Sequence, residues 1–323
     1  MIQASRIFGI NSDEAFRAMA LEIAQFQQRN NAVYRQFCSL MRAETIATFE
    51  EIPFLPIRFF KAFDIVSEEI PTEPLVFLSS GTGEQGRSKH VVTEPALYRE
   101  SYTRSFEAAF GAPSGWVILA LLPNYVAQGH SSLVYMVEGL IQQTNHPASG
   151  FLLDAMDQVH ERYVQAIASG RKCMLFGVSY ALLDLAEQGK DFSQALVVET
   201  GGMKGRRQEL TKPELHAALE RGLKTAEIHS EYGMTELLSQ GYCGPDLVFH
   251  TPPWMRVVLR DTSDPMARVP EGQRGAINVI DLANLNSCSF IATEDVGRGV
   301  PGGFILEGRM HHADLRGCNQ MVG

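Results

Sequence analysis

From residue 75 onward, short apolar runs that end in Gly, Ser or Pro alternate with helix-like segments, and this grammar constrains the fold more than any other feature. LVFLSS (75–80), WVILALLP (116–123), CMLFGV (173–178) and ALVVETGG (195–202) read as strands. SSLVYMVEGLIQQ, SYALLDLAEQG and KPELHAALERGL read as helices between them. Strands that are apolar throughout, rather than in alternation, are buried on both faces, so the pattern predicts α/β layers around a largely parallel sheet. After about residue 245 the rhythm shortens to MRVVLRD, AINVIDL, SFIAT and GGFILEG, separated by turn residues, which predicts a small β-rich lobe. The first fifty residues read as helix. Ser12 is placed to cap DEAFRAMALEIAQFQ, whose Phe16, Met19, Ala20, Ile23 and Phe26 share a face, and NAVYRQFCSLM forms a second helix. Pro53 and Pro56 then break helical continuity within IPFLPIRFF, an apolar stretch that must pack under something. The expected division is a helical entry region over 1–70, an α/β core over 71–245, a β-rich lobe over 246–310 and a tail over 311–323.

Composition excludes several classes. With 323 residues, 45% hydrophobic and 20% charged, the chain is long enough for roughly two domains and has the profile of a globular protein. A formal net charge of −9 denies it the basic field that nucleic acid or an anionic membrane attracts, so no nucleic-acid partner is expected. The longest apolar run, WVILALL, is well short of the roughly 20 residues a spanning helix needs, and Asp13 and Glu14 stand where a signal peptide would be apolar. No membrane segment or export signal is expected. Five cysteines without a CxxC pair point to reduced thiols and hence to the cytoplasm.

The richest segment is LVFLSSGTGEQGRSKHVVT (75–93), where a strand enters a loop of Gly, Ser and Thr with a trailing Lys89. Backbone N–H groups of glycines, with the hydroxyls of Ser79, Ser80 and Thr82, suit an oxyanion such as a phosphate. Gly81 to Gly86 fits GxGxxG, and Gly81 to Ser88 nearly fits the Walker A pattern, but each of those needs a helix to start within the loop. Here the loop runs into β-branched KHVVT, and the next helix starts near Pro95. A loop joining two strands calls for a different family, or for a hairpin that binds nothing.

Four further segments follow in order: ETGGMKGRR (199–207), HSEYGMTE (229–236), TEDVG (293–297) and GRMHHADLRG (308–317). Together with the glycine loop, their order and spacing resemble the adenylate-forming superfamily of acyl-CoA synthetases, luciferases and peptide-synthetase adenylation domains. PNYVAQGHSSLVYMVEGL and the late RGCN are similar to the acyl-protein synthetase branch of that superfamily, known from bacterial bioluminescence. The resemblance implies a multi-layered adenylate-forming fold and ATP-dependent activation of a carboxylic acid, a fatty acid in that branch, to acyl-AMP; the apolar segments WVILALL and LVYMVEGL suggest a hydrophobic pocket for a fatty or aromatic acid. It further implies Mg²⁺ as cofactor and transfer to a thiol for delivery to an acyl reductase. Ser79, Ser80, Gly81, Thr82, Gly83 and Lys89 would hold the ATP phosphates. Tyr232, beside Gly233, would lie against adenine, Thr235 at the phosphate and Glu236 on Mg²⁺. Asp295 would take the ribose hydroxyls, with Arg309 nearby. Gly201 and Gly202 would let the backbone approach the nucleotide or the acyl carbonyl, a tight turn being the alternative, and His130 would border the acyl pocket, a packed or helix-capping histidine being the alternative.

The sequence also departs from the superfamily. Its members usually carry a C-terminal domain with a lysine that assists adenylation, whereas this sequence stops shortly after the hinge-like Asp314 and Arg316. Charge neutralisation is then expected from Mg²⁺, Lys89, Arg309 or a partner. In the acyl-protein synthetases a cysteine near the C-terminus becomes acylated, and Cys318 stands there beside Arg316, His311 and His312, which would lower its pKa; an inert tail cysteine is the alternative. CoA or a carrier protein is the other acceptor to consider. Two rival classes remain. Gly177-Val-Ser179-Tyr-Ala181 resembles the GxSxG elbow of a serine hydrolase, although Ser179 reads equally as a helix cap. A non-catalytic nucleotide-binding subunit is the third class. Lys204, Arg206 and Arg207 read as a solvated basic loop or as a surface for an acidic partner, and His311-His312 lacks a second pair for a metal.

Overall fold

The computed structural model describes residues 2–79, 86–123, 130–201, 207, 210–270 and 272–310. In chain order its strands are β1 (Leu55–Pro56), β2 (Leu75–Leu78), β3 (Lys89–Val92), β4 (Trp116–Leu121), β5 (Gly150–Phe151), β6 (Lys172–Val178) and β7 (Ala195–Thr200). They continue with β8 (Ile228–Tyr232), β9 (Gly241–Cys243), β10 (Met255–Arg260), β11 (Arg274–Asp281), β12 (Phe290–Val300) and β13 (Gly303–Arg309). The chain divides into two compact units. The described residues of the first fall within Met1–Leu75, Thr82–Pro95 and Val248–Gly323, and those of the second within Val76–Gly81 and Ala96–Leu247.

The second unit is the α/β part. Its six-stranded sheet has the order β5-β4-β6-β7-β8-β9, parallel from β5 to β8 with β9 antiparallel at the edge. Parallel neighbours need crossover connections, and the helices Ser132–Thr144, Val159–Ala168, Ser179–Ala186 and Lys212–Leu223 lie in the connections that supply them. β4 is buried at all six positions, as its unbroken apolar run requires. Helix Pro95–Phe110 begins at the proline the sequence indicates. The strand read at LVFLSS stays outside this sheet.

The first unit is built around an antiparallel sheet, β10-β11-β12-β13, with β1 added parallel to β12 through Leu55↔Ile291 and Pro56↔Ala292. An edge position is where a strand tolerates proline, so IPFLPIRFF finds its cover here: Phe54 packs edge-on to Phe290, which Tyr34 stacks upon. Ser12 caps helix Asp13–Asn30 by accepting from the Ala15 N–H at 3.1 Å, and Asn31 caps helix Ala32–Leu40. On the first helix Phe16, Met19, Ala20 and Ile23 are buried as expected, while Phe26 is half-buried. The inward position beside it is Gln27, fully buried, whose Nε2 donates to the carbonyls of Asn284 and Leu285 and to Ser289 Oγ; its Oε1 accepts from Ser289 N. The amide thus closes a loop more than 250 residues away. The N-terminal helices and the β-rich lobe share one unit. Among the described residues no helix is long and apolar enough to cross a membrane.

Candidate functional site

The residues singled out in the sequence are divided between the two units, and within each the local chemistry is clear. In the second, Ser79 follows β2, whose Phe77 is buried in an aromatic cluster with Tyr98 and Tyr135 at 5.5 and 5.6 Å between ring centroids. Leu78 N donates to His130 O at 2.8 Å, and the ring Nδ1 of His130 bonds Val76 O at 3.2 Å. His130 is therefore an exposed brace for the strand that leads into the glycine loop, and Ser131, not His130, caps the following helix. Ser80, Gly81, Thr82, Gly83, Gly202 and Cys318, with His311, His312, Lys204 and Arg206, lie outside the described residues.

The carboxyl ends of three neighbouring parallel strands carry the next group. Ser179 follows β6, Gly201 follows β7, and Tyr232 ends β8 with Gly233, Thr235 and Glu236 just beyond. Gly201 has φ +72°, a left-handed conformation that favours glycine. A Cβ at Gly233 would lie 2.1 Å from Glu231 Oε1, so any other residue there must displace that carboxylate. Tyr232 and Glu236 are buried, at 4% and 5% exposure, and Thr235 is half-buried.

Beneath these ends runs a polar network that the sequence reading missed. Glu199 is wholly buried. Its carboxylate accepts from Ser179 Oγ at 3.0 Å and from Ser230 Oγ at 2.5 Å, and it pairs with Lys212. His216 Nε2 lies 2.8 Å from Ser230 Oγ. Because Ser230 spends its proton on Glu199, the imidazole must donate, which assigns the Nε2–H tautomer and leaves Nδ1 without a partner among the described residues. Burial lowers the His216 pKa, keeping the ring neutral. Thr200 Oγ1 donates to Glu231 Oε2 at 2.5 Å. Burial, opposed by that hydrogen bond and reinforced by the charge of Glu199, pushes the Glu231 carboxyl up to about 7. A signal existed: Glu199 is a carboxylate at the end of an otherwise apolar strand.

Two expectations change here. Ser179 is not a helix cap, for Val178 occupies the cap position and the Ser179 hydroxyl points to Glu199 and to Gly201 O, 3.2 Å away. His216 Nε2 bonds Ser230, so among the described residues no imidazole stands on the Ser179 hydroxyl as it does in a serine hydrolase. Arg207 finds its acidic partners within its own unit, pairing with Asp184 and Glu187 while its side chain stays 30% exposed.

In the first unit, Lys89 opens β3 and pairs with Asp64 at 2.9 Å, both side chains being nearly half-exposed. Its neighbour His90 is buried, with Nε2 3.1 Å from Asn284 Oδ1 and the ring edge-on to Phe60. Asp295 on β12 lies directly opposite Arg309 on β13, and Arg309 Nε donates to Asp295 Oδ1 at 3.1 Å. Asp295 is 7% exposed and Arg309 is exposed. Cys38, Cys173, Cys243 and Cys288 are buried free thiols, pushed by burial up to about 11, 12, 11 and 12. Neutral thiols of this kind are poor nucleophiles. Among the described residues no three His, Cys, Asp or Glu side chains cluster as a metal site.

No protein-family model matches the chain. Its fold is that of solved adenylate-forming enzymes. An open conformation of 2-hydroxyisobutyryl-CoA ligase in complex with 2-HIB-AMP and CoA superposes with a TM-score of 0.66 at 12% identity, over 92% of this chain and 69% of that one. ATP-bound MatB from Rhodopseudomonas palustris gives 0.54 at 16% identity over 72% of this chain, which spans about half, 47%, of that protein. In fold and in the order of its motifs the chain is similar to adenylate-forming ligases. The long-chain-fatty-acid–luciferin-component ligase of Vibrio harveyi is 24% identical over 292 residues, covering 84% of this chain and 76% of that protein.

Proposed function

We propose that the protein activates a carboxylic acid, most simply a fatty acid, with ATP and passes the acyl group to a thiol. One observation carries the reading: Gly201 and the YGMTE segment stand at the carboxyl ends of adjacent parallel strands, where open α/β sheets bind their ligands. In the first step a carboxylate oxygen of the acid attacks the α-phosphorus of ATP, the bond to the bridging oxygen breaks, and pyrophosphate leaves, giving acyl-AMP. In the second a thiolate attacks the acyl carbonyl and AMP departs, splitting one difficult transfer into two easier ones.

Roles follow from chemistry. Ser79 and Lys89, at the two ends of the glycine loop, bind phosphate oxygens together with Ser80, Gly81, Thr82 and Gly83; binding draws Lys89 from its exposed pair with Asp64. Tyr232 offers an aromatic face to adenine, Thr235 a hydroxyl to the phosphate, and Asp295, steadied by Arg309, an acceptor for the ribose hydroxyls. Glu236 and Thr235 offer the hard oxygens that Mg²⁺ takes, and Mg²⁺ needs only one or two carboxylates besides phosphate oxygens and water, so the donor set fits. When bound, it neutralises charge on the phosphates. Gly201 keeps the backbone low at the strand end for the nucleotide or the acyl carbonyl. The thiol is that of Cys318, and an acyl reductase is the onward acceptor.

Incubation with ATP, Mg²⁺ and the matching acid should add one acyl mass to the protein, removable by neutral hydroxylamine and absent in Cys318→Ser, which still makes acyl-AMP. An adduct on Cys38, Cys173, Cys243 or Cys288 would refute the assignment to Cys318. Acyl-AMP without any adduct would favour CoA or a carrier protein as acceptor. Nucleotide binding without acyl-AMP would indicate a non-catalytic subunit.

A further inference from the structure

The first unit contains a cavity of about 400 Å³ with a buried cation in its wall. Arg260, at the end of β10, is 7% exposed. Its Nη1 donates to Ile277 O at 2.9 Å and Asn278 Oδ1 at 2.6 Å, and its Nη2 to Thr293 O at 2.6 Å. These use three of the five guanidinium N–H groups, and all three acceptors are neutral. Among the described residues no carboxylate pairs with Arg260. The carboxylates that line the same cavity are engaged elsewhere: Glu294 with Arg58, Glu50 with Arg17, and Glu51 with the backbone N–H groups of Ala47 and Thr48. A guanidinium stays charged in a protein, and a buried charge without a counter-ion is unfavourable unless an anion joins it. The remaining wall is largely apolar, including Met41, Phe54, Ile57 and Met266. Its volume falls in the range of small-molecule pockets.

We propose that this cavity binds an amphipathic monocarboxylate, with the head group on Arg260 and an aliphatic or aromatic body along Met41, Phe54, Ile57 and Met266. A single planar carboxylate matches the guanidinium fork, whereas the apolar wall disfavours a ligand rich in phosphate. The site goes beyond the adenylation reading: it stands on Arg260 and needs neither ATP nor Glu236.

The test is a decanoate titration of the full chain without nucleotide, read from the spectra of ¹³C-methyl methionines. Met41, Met266 and Met310 line the cavity, while Met136 and Met174 are buried in the other unit and serve as controls. Decanoate should shift Met41 and Met266, and decanol, the same chain without the charge, should bind at least about tenfold more weakly. Ala292→Leu, which adds bulk to the cavity wall and keeps Arg260 in the sequence, and Arg260→Met should both lose the shifts, and Glu236→Gln should keep them. The first variant preserves the test if the second fails to fold. Equal binding of decanol, shifts confined to Met136 or Met174, a requirement for ATP, or loss in Glu236→Gln would each overturn the proposal. Absence of acyl-AMP formation would leave the titration result standing, so the two readings fail separately.

Discussion

The two units bury charge in opposite ways. In the α/β unit Glu199 is wholly buried, but two hydroxyls and the Lys212 ammonium meet its carboxylate, so the charge is neutralised from within the fold. In the β-rich unit Arg260 is nearly as buried and leans on two carbonyls and an amide oxygen, all neutral. A closed network of the first kind holds its neighbours in place, and these neighbours are the strand ends that carry Gly201 and Tyr232. An open one of the second kind leaves attraction to spare for a ligand. One cluster is scaffold; the other is a receptor.

The largest effect should come from opening the closed network. Glu199→Ala strands Lys212 and two buried hydroxyls, and breaking a buried pair on one side costs about 3–5 kcal/mol, to be read from urea unfolding. A loss below about 1 kcal/mol would mean that the cluster is not structural. Next comes Glu231, whose carboxyl is raised from 4.5 to about 7 in the folded protein. Below pH 4.5 both states hold the proton. Between 4.5 and 7 the unfolded state releases it first, so stability falls as pH rises, by up to about 3 kcal/mol in total. Glu231→Gln should flatten the wild-type slope in unfolding free energy across that window. A smaller loss, about 1–3 kcal/mol, is expected for Arg260→Met, which takes the guanidinium donor from Thr293 O and Asn278 Oδ1, while Ile277 O keeps the Thr293 hydroxyl, and which removes an uncompensated charge. A cost equal to that of Glu199→Ala would erase the contrast between the units. Lys89→Ala should cost less than about 1 kcal/mol, since its pair with Asp64 is largely exposed, while raising the apparent KM for ATP. Unchanged KM would remove Lys89 from the phosphate site.

Much of this was legible in sequence because local chemistry and position agree. WVILALL and CMLFGV are apolar throughout because parallel strands are covered on both faces, and Ser12 caps its helix as its type predicts. Asp295 and Arg309, chosen by motif, turn out to be cross-strand partners. What stayed hidden depends on partners far along the chain. Gln27 looks like a polar intruder until Asn284, Leu285 and Ser289 meet it, and this long-range closure is why the N-terminal helices join the β-rich unit. Ser179, Lys212, His216 and Ser230 each have an ordinary local reading and acquire meaning only around Glu199. Arg260 is the last residue of strand β10, and its burial comes from strands β11 and β12, which no local pattern announces.

Adenylation itself is read by acid-dependent exchange of labelled pyrophosphate into ATP. With a panel of fatty and aromatic acids, the wild-type protein with Mg²⁺ should exchange label only when a matching acid is present. Glu236→Gln, folded as judged by its unfolding curve, should lower that rate by about a hundredfold, the scale on which electrostatic groups act on developing charge. Exchange in Glu236→Gln at the wild-type rate, or none from the wild-type protein with any acid, would contradict it.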